Sequence, residues 1–372
     1  MDRALRVEAA TVTVLRLYDV AYAIDLERVE ALGAVESPAV ARLRLTRAEP
    51  KAITFGASPV EIGLGAIELP TGAGESDRAI GSAHARVYDF GVVSLALRFP
   101  LADVEWSELV RRVLALDRAS DTTPLWSRLH ERVRQLIAPA LDRPSGTDIE
   151  EEYFFTTLQR LDPPISADEL LQAVDVVPLL SGETQRLSDS ARADLLRNQF
   201  SYYPTDLAVL TWDHAVLLEP SGDRDVPDVL EVANAQLLEL RYYDELLDAE
   251  LPRMYDRVEA ARRRGVTGLA RRRFADLARS LYTLVADVTE TTERVDNALK
   301  VTEDVYLARI YGAALELFRV GAWGASVQRK LAIIRDTYTA LYDEAATARA
   351  EILEIAIVVL IVLEIVLALF HY

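Results

Sequence analysis

Residues 86–99 read RVYDFGVVSLALRF, a stretch dense in β-branched and aromatic residues. This composition predicts a strong β-strand with a glycine near its start. Three segments nearby alternate apolar and polar residues with a period of two, as half-buried strands do: 11–15, 41–45 and 60–62. Turn residues follow at 69–74, and residues 18–32 suit an early helix. Residues 1–105 are therefore predicted to be mainly β.

Helical patterns join the strands further along the chain. Apolar residues at helical spacing predict helices at 104–116, 124–137 and 188–197. A further short helix is predicted to begin after Ser166, because Glu169 three residues on completes a capping box. Residues 150–161 read as a strand, and 207–219 as a hairpin turning at Asp213 and His214. Residues 1–222 are predicted to form an α+β head domain.

After residue 222 the sequence is typical of helices only. From 228 to about 264 an apolar stripe predicts a long helix with a kink at Pro252. A heptad pattern then runs from Phe274 to Ala298. The glycines in GAWG at 321–324 predict a tight turn, and a second seam runs from Val327 to Ile352 with spacings of four and three. Residues 223–350 are predicted to form a helical hairpin or coiled-coil stalk.

The segment ILEIAIVVLIVLEIVLALF at 352–370 is apolar apart from Glu354 and Glu364. Nineteen residues of helix are about 28 Å long, close to the thickness of a hydrocarbon core. We therefore predict a transmembrane tail anchor at 351–372, with Glu354 and Glu364 as intramembrane acidic residues. Basic residues before the segment, and no signal-peptide pattern at the N-terminus, predict a cytoplasmic head. The alternative is a helix buried in a bundle.

Composition excludes several chemistries. The chain has no cysteine, so disulfides, thiolate metal sites and cysteine nucleophiles are excluded. Its net charge of −18 disfavours broad wrapping of nucleic acid. The sequence lacks the phosphate-binding loop, zinc-type histidine pairs and the serine nucleophile elbow. We therefore expect no catalytic residue, metal or cofactor.

Two arginine triplets stand out on this acidic chain. They flank a turn between Gly265 and Gly268, and they comprise Arg262, Arg263, Arg264, Arg271, Arg272 and Arg273. Such a cluster suits the phosphate of RNA or an anionic lipid headgroup, or an acidic partner. The alternative is a solubilising tip of a helical hairpin.

Residues 87–93, VYDFGVV, resemble a strand of the family named "required for meiotic nuclear division", whose yeast relatives include Sad1-interacting factors. The order of later segments is also similar: a Glu/Phe-rich strand, compare EEYFF at 151–155, a long helical region, and an apolar ending like residues 349–366. The chain resembles a divergent bacterial member, since the aromatic residue that usually follows the first strand is missing at 94–97.

The resemblance implies a membrane protein without known enzymatic activity, because the family's mitochondrial member forms homo-oligomers in the inner membrane and supports translation. Together with the seam, it predicts a non-enzymatic, tail-anchored scaffold that self-associates through its stalk. The ribosome, RNA or another protein is then the candidate partner. The alternative is a membrane-anchored enzyme or ligand-binding head, which a deep polar pocket in residues 1–220 would favour.

Overall fold

The computed structural model describes residues 5–36, 40–42, 53–72, 78–121, 123–147, 149–263, 268–296, 299–301 and 305–370. Within these ranges, the side chains of 33–36, 40–42, 53–55, 260–263, 268–275, 277–278, 294–296, 299–301, 341–356 and 368–370 are not described. The chain divides into two compact units. The first, which we call the head unit, comprises Met1–Tyr242 and Glu293–Gly321, and the helical unit comprises Tyr243–Thr292 and Ala322–Tyr372.

The strands all lie in the head unit. They are β1 (Arg6–Asp19), β2 (Ala21–Ile24), β3 (Val40–Arg42), β4 (Ile53–Phe55), β5 (Val60–Pro70), β6 (Arg78–Val87), β7 (Val92–Glu105), β8 (Leu141–Pro144), β9 (Glu150–Asp162), β10 (Gln199–Phe200), β11 (Leu207–Leu210), β12 (His214–Leu218) and β13 (Leu299–Val301). The α-helices are α1 (Leu26–Glu36), α2 (Trp106–Asp121), α3 (Leu125–Ile137), α4 (Ala167–Ala173), α5 (Val177–Ser181), α6 (Asp189–Leu195), α7 (Asp225–Arg263), α8 (Gly268–Asp296), α9 (Val305–Leu317) and α10 (Val320–Phe370).

Nine of the described strands form one mixed sheet in the order β10-β11-β12-β9-β1-β7-β6-β5-β3. β1 is its central strand and pairs antiparallel with both β7 and β9. β9 and β12 pair parallel, so the sheet combines both directions. The head unit is thus an α+β domain built on a large mixed sheet, with the predicted strand at 150–161 and the predicted hairpin at 207–219 both present.

Each face of the sheet is covered by different helices. On one face Val12 and Val14 of β1 belong to a hydrophobic core that includes residues of α2 and α3. On the other face Leu15 and Leu17 are buried, and the first half of α7 contributes fully buried apolar residues to the same unit: Val229, Leu230, Val232, Ala233 and Leu238. A strand covered on both faces needs apolar residues at successive positions, which explains the run from Val14 to Leu17 with only Arg16 between.

The predicted single strand at 86–99 is wrong, because the structure divides it into β6 and β7. Gly91 has a φ of +101°, which favours glycine, and the turn closes where the amide of Tyr88 donates to the carbonyl of Val92 at 2.9 Å. The apolar residues on both sides of the turn gave the sequence a continuous strand pattern. The early helix is also shorter than predicted, since β1 and β2 continue to Ile24.

The glycine-rich turn at 321–324 is also predicted wrongly. The structure places GAWG inside the first turns of α10, and the break between α9 and α10 comes before it, at a turn that includes Arg319 with a φ of +54°. Glycine lowers helix propensity but does not forbid a helix whose neighbours are good helix formers. Pro252 likewise lies inside α7, which continues through it.

The predicted transmembrane anchor and the localisation that followed from it are wrong. Among the helices that the structure describes, none combines the length and the apolar content that crossing a membrane requires. Glu364 interrupts the apolar run at 357–367 of that segment.

Replacing Gly91 by alanine is expected to destabilise the head unit by roughly 2 kcal/mol or more. A Cβ atom there would lie 1.8 Å from the carbonyl oxygen of Ala21, at a φ that L side chains rarely adopt. Urea unfolding of the Gly91→Ala variant measures this. Gly146→Ala is the matched control, because a Cβ at Gly146 meets nothing within 4 Å. Equal midpoints for the two variants would contradict the role of the turn.

Candidate functional site

The predicted basic cluster falls mainly outside what the structure describes. Arg264 is not described, Arg262 and Arg263 lie in the last residues of α7, and the triplet 271–273 lies near the start of α8. The side chains of these five helical arginines are also outside the described residues. Glu354 is part of α10 without a described side chain, whereas Glu364 is exposed.

A buried ionic cluster joins the sheet to α7, and sequence reasoning did not identify it. The Nη1 group of Arg86, in β6, donates to Asp228 Oδ1 at 2.9 Å and to Glu231 Oε2 at 2.7 Å. The hydroxyl of Tyr88 donates to the other oxygen of Glu231 at 3.0 Å. Arg86, Asp228 and Glu231 are each at most 4% exposed. These charges are thus desolvated and paired within the head unit.

Local structure explains how these groups meet. Asp228 and Glu231 are three residues apart in the first turns of α7, so both carboxylates lie on one helical face. Burial disfavours the charge of Arg86, but the two carboxylates outweigh burial and hold its pKa above the ordinary value. The only sequence signal was an arginine amid the apolar residues 83–93, together with an acidic pair at helical spacing, and neither identifies its partner.

A small cavity lies beside this cluster. Its volume is about 210 Å³, and two further arginines, Arg98 of β7 and Arg224 before α7, line it. Both share one carboxylate, Glu61: Arg98 Nη2 lies 3.3 Å from Oε1, and Arg224 Nη1 lies 3.8 Å from Oε2. The neighbouring arginines outweigh burial and lower the pKa of Glu61, which therefore stays ionised.

A second cavity, of about 340 Å³, surrounds His214. His214 Nδ1 lies 3.0 Å from Asp213 and its Nε2 lies 3.4 Å from Asp117. Burial lowers the pKa of His214, but the two carboxylates raise it by more, to about 9. The imidazole is therefore cationic at neutral pH. Within the described residues no group of side chains is arranged to hold a metal ion.

The helical unit contains the predicted seam. Leu281, Val288 and Thr291 of α8 are buried, as are Val327, Leu331 and Ile334 of α10. Lys330 donates to Asp244 at 2.7 Å and thereby connects α10 to α7. Further along α10, residues 357–367 are all exposed, and ten of these eleven residues are apolar. The exposed fractions of those ten run from 42% to 62%.

Comparison with known proteins assigns the head to a family. The model of the N-terminal domain of the uncharacterized protein MJ0711 matches residues 9–224, more than half of the chain. The chain belongs to this family. The Methanocaldococcus jannaschii protein of that name is 28% identical over 192 residues, which are 51% of this chain and 58% of that relative. The chain thus spans less than two thirds of the relative, and no solved structure matches significantly.

These matches correct the predicted resemblance. Nothing in them points to the meiotic nuclear division or Sad1-interacting family, so that identification is wrong. Its main motif, VYDFGVV, forms the turn between β6 and β7 and not one strand. Its second motif is an apolar helix end, a pattern that many unrelated proteins share. The matched region, residues 9–224, covers the nine-stranded sheet apart from the first three residues of β1, and it ends immediately before α7.

Replacing Arg86 by glutamine is expected to cost about 3–5 kcal/mol of unfolding free energy, since Asp228 and Glu231 would stay buried without a cation. Urea unfolding at pH 7 measures the cost. Arg78→Gln is the matched control, because Arg78 and Glu68 form an exposed pair, and such pairs contribute at most about 1 kcal/mol. If the losses of unfolding free energy in the two variants differ by less than about 1 kcal/mol, the ionic cluster does not hold α7 on the sheet.

The ion pairs of His214 are expected to make stability depend on pH. The folded pKa of about 9 lies above the ordinary 6.5, so the charged form contributes fully below about 6.5 and its contribution is lost as the pH rises to about 9. The stability lost in His214→Gln should therefore shrink across this window. Urea unfolding at several pH values measures the loss.

His130→Gln is the control for that measurement. Burial lowers the pKa of His130, so its ring is neutral throughout pH 7–10 and its replacement should cost the same at each pH. A cost for His214→Gln that stays constant between pH 6.5 and 9 would show that the imidazole is not held as a cation.

Proposed function

We propose that this chain is a non-enzymatic scaffold that assembles with further copies of itself through its helical unit. The observation that supports the proposal is the exposed apolar run at 357–367 of α10, in which ten of eleven residues are apolar. Contiguous apolar surface of this kind is rare on monomers and typically marks an interaction site.

The proposed contact between copies, at 357–367, lies further along α10 than the seam at 327–352 that the sequence pattern predicts as the contact. Val327, Leu331 and Ile334 of the seam are buried within a single copy. Those positions therefore stabilise the chain's own helices. Ile333 is an isolated exposed apolar residue there, whereas the described residues 357–367 form a continuous uncovered apolar run.

Further copies are the occupant that fits this surface. A helix that is apolar on every side needs neighbours on every side, and one partner helix covers only one face. The run carries a single charge, at Glu364, and thus has no charge pattern to select a partner of opposite sign. Identical helices around a symmetry axis cover more than one face of each copy and need no opposite charge, because each copy presents the same apolar surface to the next.

A further partner stays a prediction. The arginine triplets at 262–264 and 271–273 suit a phosphate-bearing partner such as RNA or the ribosome. In this proposal the assembled helical units concentrate these arginines, and several weak contacts combine into a stronger one.

Two aspartates placed in the apolar run should dissociate the assembly. We expect the unaltered chain to have a mass that is a multiple of 41.4 kDa, and the double variant Val359→Asp with Val362→Asp to have a mass of 41.4 kDa. The reason is that two desolvated carboxylates per copy outweigh the apolar contacts. Mass photometry at equal concentrations measures both.

The double variant Thr339→Asp with Ala340→Asp is the matched control, because both residues are exposed positions of the same helix outside the run. It adds the same charge and should keep the mass of the unaltered chain. A mass of 41.4 kDa for the unaltered chain, or an unchanged assembly in the first variant, would refute the proposal.

A further inference from the structure

The central strand carries polar residues where a covered sheet normally carries apolar ones. β1 is the fifth of the nine strands in the large sheet. On the face that α7 covers, Leu15 and Leu17 are buried, but Thr11 and Thr13 are only half-buried. On the opposite face Val12 and Val14 are completely buried. The apolar lining thus stops on one face only, at the point where α7 begins.

The neighbouring strands continue this polar surface. Arg98 of β7 pairs with Thr13, and Thr157 of β9 pairs with Thr11, so their side chains lie beside one another on the same face. The side-chain amide of Gln159 donates to the hydroxyl of Thr11 at 3.0 Å. Together with the segment that precedes α7, these strands enclose the cavity of about 210 Å³.

The two arginines of this cavity have unused hydrogen-bonding capacity. Each guanidinium has five N–H groups. Among the described residues, Arg98 and Arg224 make no side-chain hydrogen bond; Arg98 contacts only Glu61, at 3.3 Å, and Arg224 lies 3.8 Å from Glu61 and 3.9 Å from Asp228.

The other acidic groups at the cavity are already engaged. Glu231 accepts from Arg86 and Tyr88. Asp223 Oδ1 accepts from the backbone amides of Arg224 and Asp225, at 2.6 and 3.3 Å. Neither carboxylate forms a hydrogen bond with Arg98 in the described part of the chain, although the charge of Glu231 acts on it. The positive charge of Arg98 remains the least compensated in the cavity.

The pKa of Arg98 agrees with its small number of partners. Burial and the neighbouring Arg224 and Arg86 lower its pKa, and Glu61 and Glu231 offset these effects only in part. An additional negative charge in the cavity would stabilise both guanidiniums. Threonine hydroxyls and the Gln159 amide supply neutral donors and acceptors beside that position.

We propose that this cavity binds the phosphate or carboxylate group of a small molecule, held between Arg98 and Arg224 and contacted by the hydroxyl of Thr13. A planar guanidinium donates two parallel hydrogen bonds to such an oxyanion, and two guanidiniums fix its orientation. The volume is below the ~300–1,000 Å³ of sites for drug-sized ligands, which limits the occupant to a small molecule.

The test is isothermal titration calorimetry of the full chain at low salt, with inorganic phosphate and succinate as separate probes. We expect saturable binding of at least one probe at one site per chain. Arg98→Gln and Arg224→Gln should each weaken binding roughly tenfold or more, since a charged hydrogen-bond donor is removed. Thr13→Val keeps the β-branched shape and should weaken it roughly threefold to tenfold.

Arg160→Gln is the matched control. Arg160 lies in β9 of the same sheet, but it is exposed and does not line the cavity. It should bind like the unaltered chain. Binding of phosphate alone identifies a phosphate-bearing ligand, and binding of succinate identifies a carboxylate. Saturable binding of neither probe, or equal binding by the unaltered chain, Thr13→Val and the Arg98 and Arg224 variants, would overturn the proposal.

Discussion

The buried pairing of Arg86 with Asp228 and Glu231 constrains where α7 lies over the sheet of the head unit. A guanidinium that is 3% exposed is tolerated only beside carboxylates, because an unpaired charge in that position costs several kcal/mol. The carboxylates belong to the first turns of α7, and the arginine belongs to β6. The start of α7 is therefore fixed over the sheet to within one helical turn, since a longer shift would separate all three charges.

We infer that this constraint contributes specificity more than stability. Apolar contacts alone would let α7 slide along a surface of Leu15, Leu17 and Ala96, because hydrophobic packing is not directional. A buried ion pair adds little net free energy, but it penalises every other arrangement. The hydroxyl of Tyr88, which donates to Glu231, extends the same effect to the turn between β6 and β7.

The position of α7 also determines where the sheet stays uncovered. Because the helix begins at Asp225, it leaves Thr11 and Thr13 half-buried at the centre of the sheet. The same segment brings Arg224 to within 3.8 Å of Glu61, which Arg98 already contacts. The cavity and its spare positive charge are thus a consequence of the cluster, and not a separate feature of the fold.

Sequence patterns predicted what depends on near neighbours. The capping box of Ser166 and Glu169 is present, because both partners lie within one helical turn. The ionic cluster was not predicted, since Arg86 is separated by 142 and 145 residues from its two acceptors. The turn at Gly91 was missed for a different reason: its flanks are apolar on both sides, so the pattern did not change where the chain reverses.

The apolar end of α10 shows how much the hydrophobic pattern of a sequence can predict. A seam with spacings of four and three marks one face, and Val327, Leu331 and Ile334 of that seam are buried in one copy. Beyond residue 356 the described residues are apolar at every position except Glu364, so no single face is distinguished. Such a hydrophobic run predicts that its side chains are removed from water, but it does not predict whether lipid or protein covers them. The sequence led to a lipid bilayer, whereas none of the helices that the structure describes combines the length and the apolar content that crossing one requires. In the proposed assembly, sister helices would also remove apolar side chains from water, because each helix covers part of the surface of its neighbours.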